Sequence, residues 1–207
     1  MAVPVDSRAR IVRLAERDTF RDGLRARRAA LPPAERAAAA DALARHLDDA
    51  PGYPASHRVA GYWAHAGELP LSTAASRVGA RGNEWFLPVL VGRTLHFAEW
   101  HTGAEFATNR FGIPEPVGTA TVDPPALDVV LVPLVAFDRS GGRIGSGGGW
   151  YDRSFAFLAT APRPLRPLLI GIGYAFQEVA KIETAAWDVG LDFVATEREL
   201  IACRTGR

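Results

Sequence analysis

The chain has 207 residues, 48% of them hydrophobic, and a formal net charge of only +1 at pH 7. This length suits one domain or a tightly joined pair with a substantial core, and so small a charge gives no basis for a nucleic-acid partner. The single cysteine fits a reducing compartment, and neither a signal peptide nor an apolar run of about 18 residues is evident. We therefore expect a cytoplasmic protein without a membrane partner. We also expect a monomer.

Two helices are predicted near the start of the chain. Residues 7–30 place aliphatic side chains near helical spacing, with Arg and Glu between them. A Pro-Pro pair at 32–33 ends this helix and begins a second one over 34–47, because proline is tolerated in a first turn. The arginine-rich surface of the first helix, which includes Arg21 and Arg25, is by itself typical of a solvated face.

Strand and helix signals then alternate. A β-type run covers 57–64, a helix is predicted over 71–78, and two alternating strands follow at 84–90 and 94–100. Together with the later apolar segments, this alternation indicates an α/β fold with a largely parallel sheet covered by helices on both faces. Glu68 lies just before the predicted helix, where the helix dipole favours an acidic side chain, so a structural role alone would explain it.

The most informative stretch covers residues 140–153 and reads Ser-Gly-Gly-Arg-Ile-Gly-Ser-Gly-Gly-Gly-Trp-Tyr-Asp-Arg. It follows an apolar run over 127–137 and precedes a predicted helix over 150–160. An anion site can form where a strand is followed by a glycine-rich turn and then by the first turn of a helix. Glycine has no side chain to block the backbone N–H groups, so these groups can converge on phosphate oxygens. The alternative is a flexible glycine loop without a ligand, but the Arg, Tyr and Asp placed around the glycines favour the anion site.

Two well-known phosphate loops do not match this stretch. A P-loop ends in Gly-Lys-Ser/Thr, and the only lysine in the chain is Lys181. A dinucleotide fingerprint starting at Gly145 would need its third glycine at the position of Trp150, which is too large for close packing of a helix on a strand.

Residues 132–138 and 142–153 resemble the signature of the 5-formyltetrahydrofolate cyclo-ligase family, also called methenyltetrahydrofolate synthetases. The resemblance extends thinly from about Phe20 to Glu197, through the segment 111–116 that borders the active cleft in the family. It implies a single three-layer α/β domain over 1–207, with a largely parallel sheet flanked by helices and a deep cleft. We expect residues 1–19 to form a loosely ordered N-terminal extension.

The resemblance also implies an activity. Members convert 5-formyltetrahydrofolate to 5,10-methenyltetrahydrofolate and release ADP and phosphate, with ATP as co-substrate and Mg²⁺ as cofactor. The formyl oxygen is phosphorylated first, and the folate N10 then attacks the activated carbon. The alternative is a non-catalytic or regulatory nucleotide-binding relative, because the family lysine and tyrosine are replaced here by Arg21 and Trp150, and because Ser146 and Gly148 stand where several relatives carry longer, often basic residues.

The family pattern assigns roles to residues of this chain. The predicted ATP-binding residues are Arg21, Arg25, Arg143, Ile144, Gly145, Ser146, Gly147, Gly148, Gly149, Trp150 and Tyr151. The predicted substrate-binding residues are Trp63, Glu68, Ser146, Gly147, Gly148, Gly149 and Trp150. The predicted catalytic residues are Arg143, Trp150 and Tyr151, and the predicted Mg²⁺ ligands are Asp152 and Asp192. In these assignments Glu68 holds the pterin ring, to which a carboxylate offers two parallel hydrogen bonds.

Overall fold

The computed structural model describes residues 10–159 and 166–203. The helices in these residues are α1 (Arg17–Ala29), α2 (Pro33–Asp48), α3 (Ser72–Ala80) and α4 (Trp150–Ser154). The strands are β1 (Ile11–Val12), β2 (Arg58–Ala60), β3 (Glu84–Val91), β4 (Thr94–Trp100), β5 (Glu105–Thr108), β6 (Pro114–Val117), β7 (Thr121–Val122), β8 (Val129–Pro133), β9 (Ala136–Phe137), β10 (Arg143–Ile144), β11 (Leu168–Ile172), β12 (Lys181–Ile182), β13 (Phe193–Ala195) and β14 (Leu200–Ala202).

An eight-stranded sheet forms the centre of the molecule, in the order β14-β13-β11-β8-β2-β3-β4-β7. The five strands from β13 to β3 are mutually parallel, whereas β14, β4 and β7 pair antiparallel at the two edges. The first four residues of β8, Val-Val-Leu-Val, are all buried, because a central parallel strand is covered on both faces.

Helices cover both faces of this sheet. The face that carries Val59 and Leu131 packs against α2 and α3 through small and aliphatic side chains such as Leu43. The opposite face packs against Phe155, which follows α4, and against the 189–191 segment. The predicted α/β class, with a mostly parallel sheet flanked by helices, is confirmed. One domain over 1–207 and a deep cleft remain predictions.

The N-terminal prediction needs correction. Helix α1 begins at Arg17 and not at residue 7, because Ile11–Val12 is extended and pairs in parallel with Lys181–Ile182. Val12 is fully buried, whereas most of residues 10–19 are exposed, and a loosely ordered extension over 1–19 remains a prediction. Residues 1–9 lie outside the described residues.

Several other elements are shorter or different from their prediction. The strand predicted over 57–64 ends at Ala60, and the segment 111–116 contributes to β6, which forms a hairpin with β5 and is not a simple loop. Of the helix predicted over 150–160, residues 150–154 are α-helical and a short 3₁₀ turn follows at Ala156–Leu158. None of the helices in the described residues combines the length and the apolar character needed to cross a membrane.

Candidate functional site

A pocket of about 470 Å³ lies where the parallel strands β2 and β8 end. This is the edge of an α/β sheet at which ligands usually bind, because the loops that follow the strands meet there. The pocket is lined by Arg25, Arg28, Tyr62, Trp63, His65, Ala66, Glu68, Pro88, Leu90, Leu95, Asn109, Phe111, Ile113, Glu115, Pro133, Ser146, Gly148, Gly149, Trp150 and Tyr151.

The glycine loop, residues 145–149, connects β10 to α4 along one wall of the pocket. Gly147 and Gly149 have φ angles of 100° and 64°, values that favour glycine. Two arginines of α1 bind carbonyl groups of the loop: Arg21 Nε donates to the carbonyl of Gly145 at 2.8 Å, and Arg25 Nη2 donates to the carbonyl of Ser146 at 2.9 Å. Because C=O and N–H point in opposite directions across a trans peptide, the N–H groups that follow these carbonyls point away from α1.

Arg28 completes a row on α1, since positions 21, 25 and 28 are one and two helical turns apart and share a face. Its side chain is buried, and it donates from Nε to the carbonyl of Ala66 at 3.1 Å and from Nη1 to the carbonyl of Leu134 at 3.3 Å. Arg28 Nη1 also lies 3.8 Å from Glu68 Oε1. Burial lowers the pKa of this guanidinium, and the nearby Glu68 carboxylate opposes that effect.

Glu68 lies in a tight turn that packs against the end of α1. Ala66 and Gly67 have φ angles of 48° and 77°, and a Cβ at Gly67 would come within 2.9 Å of the Arg28 carbonyl oxygen. Glu68 Oε2 accepts the backbone N–H of His65 at 3.0 Å. Burial raises the pKa of the Glu68 carboxyl above its usual range, while the His65 N–H and the Arg28 guanidinium act in the opposite direction.

Aromatic side chains form much of the remaining wall. Trp63 contacts Phe106 of β5 with ring centroids 5.3 Å apart, and Phe111 meets Trp150 edge to face at 6.1 Å. The hydroxyl of Tyr151 is buried and has no hydrogen-bond partner among the described residues. A buried hydroxyl normally has a hydrogen-bond partner. Because this phenol has none among the described residues, it is a candidate to donate to a ligand in the pocket.

The β5–β6 hairpin is fastened over the pocket by one carboxylate. Glu115 Oε1 accepts the backbone N–H of Leu90 in β3 at 3.1 Å and the side-chain amide of Asn109 at 2.8 Å. Asn109 Oδ1 in turn accepts the N–H groups of Phe111 and Ile113, which fixes the turn of the hairpin. The hairpin is therefore held in place by the same residues that line the pocket.

A family model described as the 5-formyltetrahydrofolate cyclo-ligase family matches residues 13–197. The chain belongs to this family. It is 33% identical over 181 residues to 5-formyltetrahydrofolate cyclo-ligase of Escherichia coli K12, a match that covers 84% of this chain and 96% of that protein. It is 30% identical over 181 residues to the cyclo-ligase of Haemophilus influenzae, covering 85% and 95% of the two chains.

Solved structures agree with the sequence matches. The 5,10-methenyltetrahydrofolate synthetase of Aquifex aeolicus superposes with a TM-score of 0.78 at 30% identity and covers 93% of this chain and 95% of its own. The synthetase of Mycoplasma pneumoniae, at 21% identity and a TM-score of 0.70, shares the fold. The resemblance read from the sequence motifs is thus confirmed as family membership.

The structure brings most residues assigned from the cyclo-ligase pattern into one place. The predicted residues that line the pocket are Arg25, Trp63, Glu68, Ser146, Gly148, Gly149, Trp150 and Tyr151. Arg21, Gly145 and Gly147 lie on the α1 side of the glycine loop, where a Cβ at Gly147 would be 3.7 Å from the Arg21 guanidinium carbon. The roles of these residues remain predictions.

Arg143 and Ile144 are placed differently from their assignment. The Arg143 guanidinium is buried, donates to the carbonyl of Val189 and pairs with Asp152 Oδ1 at 2.5 Å. Ile144 is fully buried in the core cluster that contains Val12, and neither residue lines the pocket. The catalytic and ATP-binding roles of Arg143 and the ATP-binding role of Ile144 remain predictions, and the contact that Arg143 makes with a predicted site residue is its pairing with Asp152.

Asp152 and Asp192 are not brought together as a pair of metal ligands. Asp192 is buried, and its Oδ2 accepts the N–H of Leu169 at 2.8 Å, near the start of β11 and away from the edge that carries the pocket. Within residues 10–159 and 166–203, no group of three or more His, Cys, Asp or Glu side chains could hold a metal ion. These contacts favour a structural role for Asp192, and its assignment as a Mg²⁺ ligand stays a prediction.

Asp152 remains a predicted Mg²⁺ ligand, although it does not line the pocket either. It lies in the first turn of α4, directly after the glycine loop, and both of its described hydrogen bonds, from Arg143 and from the N–H of Val189, fall on the same oxygen, Oδ1. Mg²⁺ is commonly held by one or two carboxylates together with the phosphates of its substrate, so one protein ligand suffices.

Replacement of Asp192 by asparagine is expected to lower the thermal stability and leave the Mg²⁺ dependence of turnover unchanged. Asparagine keeps an oxygen that can accept the Leu169 N–H but loses the charge, and a hydrogen bond to a charged group is worth about 1.5–3 kcal/mol against about 0.5–1.5 kcal/mol for a neutral one. Asp152→Asn should instead raise the Mg²⁺ concentration needed for half-maximal turnover. Thermal unfolding and a Mg²⁺ titration of both variants test this separation, and a similar shift in Mg²⁺ dependence for both would contradict it.

Arg28, Tyr62, Asn109 and Glu115 line the pocket but were not assigned from the sequence. The spacing of Arg28 from Arg21 and Arg25 is a signal that could have found it. Glu115 carries no such signal, because its position depends on a hairpin that the proline-rich segment does not predict.

Proposed function

We propose that this protein catalyses the ATP- and Mg²⁺-dependent conversion of 5-formyltetrahydrofolate to 5,10-methenyltetrahydrofolate, with release of ADP and phosphate. The observation that supports it most directly is the shared pocket of Glu68, Trp63 and the glycine loop, which are about 80 residues apart in sequence. A ring closure driven by phosphoryl transfer needs the pterin and the γ-phosphate within bonding reach of each other.

The reaction accounts for the two walls of the pocket, the glycine loop and the aromatic side chains. The formyl oxygen is a poor leaving group, so it first attacks the γ-phosphorus and breaks the bond to ADP. N10 then attacks the activated formyl carbon, and the C–O bond breaks with loss of phosphate while the N10 proton is released. The glycine loop would bind the transferred group through its N–H groups, and the aromatic wall would keep water from the activated carbon.

Three residues would hold the folate. The Glu68 carboxylate would accept hydrogen bonds from the pterin amino and ring N–H groups. Trp150 would pack against the folate where relatives carry tyrosine, and the unpartnered phenol of Tyr151 would donate to an oxygen of the reacting group. Burial raises the pKa of the Tyr151 phenol, so the hydroxyl keeps its proton at neutral pH and acts as a donor.

Mg²⁺ would neutralise charge on the ATP phosphates, and Asp152 is the side chain that would hold it. Arg143 would keep this carboxylate directed through their 2.5 Å contact. Arg21 and Arg25 would orient the glycine loop by binding its carbonyl groups, which turns the intervening N–H groups toward the phosphate.

Arg21→Ala is expected to raise the KM for ATP several-fold and leave the KM for the folate nearly unchanged. The variant loses the hydrogen bond to Gly145, so the glycine loop is no longer braced from α1. Arg21→Lys should remain active, because an ammonium can still donate to this carbonyl and the family carries lysine here. Steady-state kinetics with each substrate varied in turn measure both constants. A rise in the folate KM alone would contradict the assignment.

The proposal as a whole is tested by mixing the protein with 5-formyltetrahydrofolate, ATP and Mg²⁺. We expect the absorbance of the methenyl product to grow in step with the release of ADP. The replaced family residues leave a second candidate, a non-catalytic nucleotide-binding protein. Binding of ATP without any methenyl product at saturating folate would favour that candidate and overturn the enzymatic proposal.

A further inference from the structure

An exposed arginine lies over the aromatic rim of the pocket. Arg110 is in the turn of the β5–β6 hairpin, and its guanidinium carbon is 5.1 Å from the Phe111 ring centroid and 5.3 Å from that of Trp150. Both rings line the pocket. Stacking on aromatic faces holds a guanidinium in place and leaves the N–H donors at its edge available.

The neighbouring charged groups are already engaged. Arg153 also lies over Trp150, at 5.0 Å, but it donates to the carbonyls of Arg93 at 2.7 Å and Gly148 at 2.8 Å. The Glu115 carboxylate accepts from Leu90 and Asn109. For Arg110, by contrast, no hydrogen bond or ion pair is described with any residue in 10–159 or 166–203.

We propose that Arg110 binds a carboxylate of the glutamyl tail of the folate, and this assignment rests on the function proposed above. With the pterin at Glu68, beside the buried Arg28, the folate would extend from the buried end of the pocket toward its exposed rim, where Arg110 lies. A glutamyl tail carries carboxylates that stay in water, and a stacked, exposed guanidinium offers them a paired hydrogen bond.

A phosphate of ATP is the other anion that could reach a free guanidinium. The residues that brace the glycine loop from α1, Arg21 and Arg25, lie on a different wall from the hairpin, and Trp150 stands between the loop and Arg110. A carboxylate of the folate is therefore the ligand that the arrangement favours, and the experiment separates the two sources.

The experiment compares wild type, Arg110→Ala and Arg110→Lys, with Arg45→Ala as the control. Arg45 is an exposed arginine in the C-terminal half of α2, away from the pocket, and its replacement removes the same charge. Equilibrium binding of 5-formyltetrahydrofolate and of an analogue whose glutamate is replaced by a neutral amide group, 5-formyltetrahydropteroyl amide, so that no tail carboxylate remains, is followed by quenching of tryptophan fluorescence. The KM for ATP is measured in parallel.

We expect Arg110→Ala to bind the glutamylated folate about tenfold more weakly, the size of one charge-assisted hydrogen bond. The analogue should bind wild type and Arg110→Ala equally, and Arg110→Lys should recover part of the loss. An equal loss with both ligands would show that Arg110 acts only through Trp150 and Phe111, and a raised KM for ATP would assign it to phosphate. Either result overturns the proposal. Because binding is measured directly, an absence of turnover in wild type would overturn the proposed function without affecting this comparison.

Discussion

Glu68→Gln is expected to weaken folate binding by roughly ten- to a hundredfold while the KM for ATP stays nearly constant. The variant keeps the shape of the side chain and its acceptor for the His65 N–H, but it loses the charge that pairs with the pterin N–H groups. A charge-assisted hydrogen bond is worth about 1.5–3 kcal/mol, which corresponds to this range in affinity. Binding of 5-formyltetrahydrofolate measured by fluorescence provides the test.

The same residue predicts a pH dependence. Burial raises the pKa of the Glu68 carboxyl, so on acidification it takes up a proton at a higher pH than an exposed carboxyl would. Folate affinity is therefore expected to fall as the pH decreases through this raised value, and Glu68→Gln should lose that part of the pH dependence. Glu35→Gln, on the exposed face of α2, is the matched control and should behave as wild type. An unchanged pH profile in Glu68→Gln would contradict the role of its charge.

Gly148→Ala is expected to lower kcat/KM by about a hundredfold, the scale of a 1 Å misplacement in an active site. A Cβ at this position would come within 2.6 Å of Trp150 Cδ1 and 2.8 Å of its Nε1, so the indole must move. The movement would displace the ring that we propose to pack against the folate and disturb its contact with Phe111.

Gly145→Ala is the matched control in the same loop. A Cβ at Gly145 would meet no atom within 4 Å, and its φ angle lies outside the region reserved for glycine, so we expect near-wild-type kinetics. Far-ultraviolet circular dichroism and thermal unfolding of both variants report whether the fold is intact. Equal activity losses in the two variants would mean that the loop needs flexibility at every glycine and not a specific space at Gly148.

Part of the central sheet was predictable because β3, β4, β8 and β11 lie in strongly patterned segments. The antiparallel pair β3 and β4 follows the alternating runs around Gly92, and the buried segments of β8 and β11 are continuously apolar. The start of α1 was not predictable from periodicity. Ile11 and Val12 fit helical spacing as well as they fit a strand, and their partner, Lys181–Ile182, is some 170 residues away.

Only part of the candidate site could be predicted from the sequence. Motifs placed Glu68, Trp63 and the glycine loop in one pocket, because a motif carries information about which side chains converge. They gave no information on where Arg143 and Asp192 point, since both side chains are turned by contacts with distant backbone groups at Val189 and Leu169. The hairpin over the pocket escaped prediction because proline at 114 and 116 signals a loop unless its antiparallel partner is known.

The pairing of β1 with β12 also bears on the order in which the protein is assembled during synthesis. The strand that leads into α1, the helix whose arginines bind the glycine loop, pairs with residues 181–182, about 170 residues further along the sequence. Closing so long a loop carries an entropic cost that other contacts must offset. A nascent chain released before Ile182 would therefore hold α1 without the β1–β12 pairing that anchors its start.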